Sequence, residues 1–222
     1  MKPFARIPAE IPRSGIREVM DLAWAAEKTG EVIHLEVGQP DFDTPAHIIE
    51  ATCRFANAGH TKYVPNAGVD PLREAAARYF QHNTGVPTTS ANILITPGAV
   101  MSVATSFLAL LEPGDEVLLP DPGWPNYHMA VSIVHGQPVF YNLRAENHFL
   151  PDLDEIESLI SEKTKLMLLC TPSNPTGQVY DQTLMRELMG LAQRHDLWVL
   201  SDEIYGEIVF ADQHHSALPH DE

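Results

Sequence analysis

From residue 92 onward, short apolar runs that read as strands alternate with longer stretches that read as helices. The runs are NILIT (92–96), EVLLP (116–120), PVFYN (138–142), KLMLLC (165–170) and LWVLSD (197–202). Helix-like stretches separate them, at Ala99 to Leu111, Asn126 to His135, Leu153 to Ile160 and Thr183 to Arg194. Strands alternating with helices predict βαβ units. The expected fold is therefore α/β, a mainly parallel sheet flanked by helices on both faces. Nearer the N-terminus, Ile16, Val19, Met20, Ala23 and Trp24 recur at helical spacing between Ser14 and Thr29, and Gly30 ends the segment. VIHLEV (32–37) reads as a further strand that feeds the loop GQPDFDTP. A helix is predicted from Asp70, with Asp70 as N-cap, Pro71 at the first helical position and LREAAARYF propagating toward Gly85. No internal repeat or low-complexity block interrupts this pattern.

Composition narrows the class without naming a function. No apolar run approaches the roughly 20 residues that a membrane helix needs, so no membrane association is expected. The opening MKPFARIPAE lacks the apolar stretch of an export signal. A cytoplasmic location is the expectation. A formal net charge of −16 opposes general affinity for nucleic acid, whose phosphates demand Lys and Arg. Two cysteines, Cys53 and Cys170, cannot build a disulfide framework, and Cys170 closes an apolar run as a buried thiol would. Eleven histidines raise the question of a metal. However, no HExxH motif or Cys/His ligand cluster occurs, and His214-His215 lies in a polar, tail-like stretch, so no metal site is expected.

In a parallel sheet, ligands gather at the carboxyl ends of the strands. Thr96-Pro97-Gly98-Ala99-Val100 follows ILIT and opens a helix; its free N–H groups can cradle an anion. A tight strand-to-helix turn accounts for Gly98 equally well. Trp124, flanked by Pro122 and Pro125 after EVLLP, offers a flat face to a planar ligand or simply packs its own loop. Asn174 sits in the turn after KLMLLC and displays both amide donors and an acceptor. Asp202 directly follows a buried strand and needs a partner there, and Tyr205 lies three residues on. Neither GxxxxGK[ST] nor GxGxxG is present. An anion cradle, an aromatic plate, an amide, a carboxylate and a phenol together suit a flat, phosphorylated heteroaromatic cofactor.

Six segments turn this constellation into a specific resemblance: VGQPDFDTP, TKYVPNAGVDPLREAAARYF, ITPGAVMS, LLPDPGWPNY, CTPSNPTG and SDEIYGEIVF. With these motifs the chain resembles the class I/II aminotransferase family of pyridoxal 5′-phosphate (PLP) enzymes from about Ile33 to Ser216. The resemblance implies fold type I, with an N-terminal segment and part of a small domain over residues 1–45. An incomplete PLP-binding large domain then spans residues 46–222. It implies that Gly98, Ala99 and Val100 hold the cofactor phosphate through backbone amides and that Trp124 stacks on the pyridine ring. Asn174 and Tyr205 are implied to bond the ring's 3′-oxygen, and Asp202 to pair with the pyridinium nitrogen. Tyr63 is implied to reach the phosphate of a neighbouring subunit in a homodimer, and Gly38 to line the substrate pocket. The implied reaction moves an amino group between an amino acid and a 2-oxo acid.

Two departures accompany the likeness. Val100 stands where many relatives carry a polar side chain, which leaves phosphate binding more to the backbone. The family's Schiff-base lysine lies beyond the aspartate motif, whereas Lys2, Lys28, Lys62, Lys163 and Lys165 all precede Asp202. The reading is therefore an N-terminal fragment without its catalytic lysine, inactive by itself. A PLP-dependent C–S lyase shares the same cofactor frame, and a regulatory or degenerate PLP-fold protein is the non-catalytic alternative.

Overall fold

A computed structural model describes residue 11, residues 14–211 and residues 213–220. The elements, in order, are α1 (Gly15–Glu27), α2 (Ala46–Asn57), α3 (Asp70–Thr84), α4 (Ala99–Leu110) and β1 (Glu116–Asp121). Then follow α5 (Asn126–Ile133), β2 (Gln137–Asn142), α6 (Leu153–Leu159), β3 (Thr164–Cys170), α7 (Gln182–Arg194) and β4 (Trp198–Asp202). Two units divide the chain, one over residues 12–69 and the other carrying everything from Asp70 on.

The second unit is built on a four-stranded sheet in the order β2-β1-β3-β4, with every neighbouring pair parallel. Its central strands are buried on both faces, which is why β1 and β3 read as unbroken apolar runs rather than alternating ones. Successive side chains nevertheless go to opposite sides. Val117, Leu119, Leu166, Leu168 and Cys170 pack with Val103 and Phe107 of α4 and with Tyr127 and Val131 of α5. Leu118, Met167 and Leu169 pack on the other face with Ile156 of α6 and with Met185, Leu188 and Leu191 of α7. Each such fully buried side chain contributes on the order of 1.5–3 kcal/mol. Two helices start on aspartate caps: Asp152 accepts from Glu155 N at 3.1 Å, and Asp181 from Leu184 N at 2.8 Å.

Four expected strands thus form β1 to β4, and four expected helices form α4 to α7, each shifted by no more than a residue or two. NILIT does not join them. It runs extended after a short 3-10 turn, has no ladder partner among the described residues, and leaves Leu94 61% exposed. Its backbone is tied instead to α3, where the Arg73 guanidinium donates to the carbonyls of Ile93 and Ser90. VIHLEV likewise forms no strand, and Ile33 and Leu35 stand exposed. A strand needs a partner for its N–H and C=O groups, and an apolar pattern cannot say whether one is present. Asp70 proves to be the first residue of α3 rather than a residue ahead of it, and its carboxylate pairs with Arg73 at 3.2 Å. The helix α2, which begins directly after Pro45 without a side-chain cap, has no counterpart among the expected elements. No helix among the described residues is long and apolar enough to cross a membrane.

Candidate active site at the carboxyl edge of the sheet

Because all four strands run the same way, the loops after β1, β3 and β4 leave from one edge. The β1 loop turns so tightly that a Cβ on Gly123 would lie 2.4 Å from the carbonyl oxygen of Pro120. That turn presents Trp124, and α5 begins two residues later and carries Tyr127 into the core. The two rings meet edge to face, with centroids 5.3 Å apart at 84°. Tyr127 is only 2% exposed, and its hydroxyl donates to Oδ2 of Asp202 at 2.6 Å. Burial first, then the neighbouring Cys170 and Asp202, pushes the phenol far above its usual pKa, so it stays protonated and acts as a donor. The second oxygen of Asp202 accepts from Ile204 N at 3.2 Å. Burial also raises the Cys170 thiol, which keeps it neutral beside the pair.

Asp202 is the last residue of β4 and stands opposite Cys170 in the ladder, on the face that holds Tyr127. Its main-chain oxygen accepts from Thr171 N at 3.1 Å, tying the β3 loop to the β4 end. That loop closes on itself through Ser173 N to Gln178 O and Gly177 N to Ser173 O, with Gly177 at a φ of +71°. Thr171 Oγ1 accepts from Tyr180 N at 2.9 Å and fixes the return of the chain. Half-buried Asn174 at the tip and Tyr205 beyond β4 share the wall of a pocket of about 450 Å³. Trp124, Tyr127, Asp121, His128 and Phe140 line a second pocket of about 230 Å³.

The turn expected to cradle an anion opens α4. The twelve residues of this helix span about 18 Å, close to the roughly 20 Å covered by the six residues of β1. A short link, residues 111–115, joins the end of α4 to the start of β1. Val103 and Phe107 pack α4 against the face of the sheet that also holds Tyr127 and Val131. Gly98 precedes the helix at a φ of +84°, a conformation that costs glycine little, and a Cβ there would meet nothing within 4 Å. Thr96 Oγ1 braces the turn by donating to Gly98 O at 3.0 Å and bonding Ser102 Oγ at 2.6 Å. The side chain of Val100 is half-exposed.

Two residues escaped the sequence reading. Tyr127 is one; the signal for it is a tyrosine three places after Trp124, just inside a helix. Glu203 is the other. Its carboxylate accepts from Ser201 Oγ (2.8 Å), Ser216 Oγ (3.1 Å) and Ala217 N (2.9 Å), and it meets His214 Nε2 at 2.9 Å. Burial alone would raise this carboxyl, yet His214, Ala217, Ser201 and Ser216 outweigh it and hold it below the usual range. His214 is consequently part of a folded clamp, not of a polar tail: a side chain on Gly206 would run into its ring at 3.0 Å.

Gly38 and Tyr63 belong to the unit of residues 12–69. A Cβ on Gly38 would meet nothing within 4 Å, and Tyr63 is fully exposed.

The family model for aminotransferase class I and II matches residues 30–221. The chain belongs to the class I and II aminotransferases. It is 40% identical over 205 residues to the aspartate aminotransferase of Pyrococcus horikoshii, covering 92% of this chain and 52% of that one. It is also 40% identical to a bifunctional aspartate aminotransferase and glutamate/aspartate-prephenate aminotransferase of Petunia hybrida, over 90% of this chain and 42% of the relative. Among solved structures, the aspartate aminotransferase from Thermus thermophilus with maleate superposes with a TM-score of 0.95 at 34% identity, over 99% of this chain and 58% of that one. An alanine aminotransferase from Pyrococcus furiosus gives 0.95 at 32%, over 99% and 57%. This aminotransferase chain thus spans about half the length of the curated relatives it matches. The expected family and the parallel α/β fold are borne out.

Proposed function

We propose that this chain forms the cofactor-holding part of a PLP-dependent aminotransferase that transfers an amino group between an amino acid and a 2-oxo acid. The observation that carries the reading is the Asp202 carboxylate at the end of β4, fixed by Tyr127 next to the Trp124 ring. The donor set suits the cofactor. The amides of Ala99 and Val100, after the open turn at Gly98, can donate to a phosphate. Trp124 offers a face for a flat ring. Asp202 presents negative charge to a ring nitrogen and favours its protonated form. Asn174 and Tyr205, which line one pocket, supply donors for the ring's oxygen substituent. Gly38, as a lining of the substrate pocket, and Tyr63, reaching the phosphate of a second copy in a homodimer, enter through the family motifs VGQPDFDTP and TKYVP. When bound, PLP supplies an electron-withdrawing ring that stabilises negative charge on the substrate's α-carbon. The names of the similar proteins include aspartate, alanine, glutamate and prephenate, so the donor class we propose is an α-amino acid with no narrower choice of side chain.

The test is reversible binding of pyridoxamine 5′-phosphate, which carries no aldehyde to react with surface lysines. The chain should bind it, and Asp202→Ala should weaken binding at least tenfold, because it removes a charge-assisted contact. Trp124→Phe keeps a flat face and should cost no more than about threefold. Calorimetric titration of the three proteins decides it. Equal losses for the two variants, or no binding by the parent chain, would count against the assignment.

A further inference from the structure

We infer that Tyr127 is a positioning residue for the ring nitrogen of the cofactor, acting through Asp202 rather than by touching the ligand. The inference rests on the cofactor reading given above. Tyr127 is buried between α5 and the sheet, so its phenol has little freedom to turn. Its hydroxyl lies 2.6 Å from Oδ2 of Asp202, within the range of a charge-assisted O–H···O⁻ bond. Oδ1 is taken up by the Ile204 amide at 3.2 Å. With one donor on each oxygen, the plane of the carboxylate is set before any ligand arrives. Trp124, the proposed stacking plate, touches the same tyrosine edge to face. One phenol therefore fixes the plate and the carboxylate relative to each other. That is the relation a flat ring needs when its face rests on one group and its nitrogen points at the other.

This arrangement separates Tyr127 from a tyrosine that merely fills the core. A purely structural tyrosine supports every ligand contact alike. A tyrosine acting through Asp202 matters only for ligands that possess a ring nitrogen, and only while Asp202 carries its charge.

The experiment uses the full 222-residue chain and two probes: pyridoxamine 5′-phosphate and its carbocyclic analogue, in which C–H replaces the ring nitrogen. For the parent chain, the first probe should bind more tightly than the second. Tyr127→Phe removes one oxygen and keeps the ring. It should weaken the nitrogen-containing probe about tenfold and the carbocyclic probe less than twofold. In an Asp202→Asn background the same change should add less than twofold for either probe, since the residue it acts through has lost its charge. Tyr127→His, which retains a ring N–H, should restore part of the discrimination.

The ratio of the two affinities is read within each variant, so a general loss of structure lowers both and counts against the inference. Equal losses for both probes, or an undiminished Tyr127→Phe effect in Asp202→Asn, overturn it while leaving the cofactor reading in place. A parent chain that binds neither probe overturns both.

Discussion

The residue with the most hydrogen bonds at the carboxyl edge is Glu203, which no motif singles out for chemistry. Four donors converge on its carboxylate, and three of their residues, His214, Ser216 and Ala217, come from the segment that returns after β4. Its folded pKa lies below the ordinary 4.5, so the ionised form contributes stability in full above that value. That contribution is lost as pH falls through the lower, folded value. Glu203→Ala strands three side-chain donors and one amide and should cost about 3 kcal/mol in urea unfolding at pH 7. Glu203→Gln should unfold with a shallower decline between pH 5 and pH 3 than the parent chain; an unchanged acid limb would show that the clamp does not depend on charge. In the sequence, Asp202 was legible because a carboxylate ending an apolar strand needs a partner. Glu203 was not, because its partners lie up to fourteen residues away in a stretch with neither periodicity nor apolar character.

At the level of elements, legibility tracked whether the cause of an element was local. The strands β1 to β4 and the helices α4 to α7 were readable because their apolar patterns are satisfied by one another. NILIT and VIHLEV carry equally good local patterns and form no ladder, since pairing is decided by what else is in the sheet. The β1–α5 turn is the converse case, a purely local constraint with a consequence at the site. Gly123 is needed there because the Pro120 carbonyl occupies the place of a side chain. Gly123→Ala should therefore lower thermal stability by roughly 2 kcal/mol, a typical cost of local backbone displacement. It should also alter the near-ultraviolet circular dichroism of Trp124. A variant matching the parent chain in both measurements would mean that the turn relaxes without cost.

At the scale of the whole molecule, much apolar surface lacks cover. The outer edge of β4 has no partner among the described residues, and Trp198 on that strand is 59% exposed. In the unit of residues 12–69, neither α1 nor α2 contains a buried residue, and Leu22, Trp24, Ile33, Leu35 and Phe42 are all exposed. An uncovered sheet edge is a template for association with another chain, and contiguous apolar patches mark contact surfaces. The isolated chain should accordingly bind a hydrophobic dye and run larger at higher concentration on gel filtration. Trp198→Lys should lessen that association without changing the far-ultraviolet circular dichroism. A monomer that stays constant from low to high micromolar concentration, with no dye signal, would refute this.

The dipeptide Asp202–Glu203 has a two-sided character. Asp202 ends β4 and faces Tyr127, while Glu203, the first residue beyond the strand, faces His214 and Ala217. Two adjacent acids thus serve two places, the buried Tyr127 hydroxyl on one side and the returning chain on the other. A chain carrying the two acids in reverse order would keep the composition, the net charge and the apolar pattern. It would nevertheless deliver the longer arm to Tyr127 and the shorter one to the clamp, spoiling both fits. The order of two like-charged letters, invisible to every bulk property of the sequence, is what assigns each face its task.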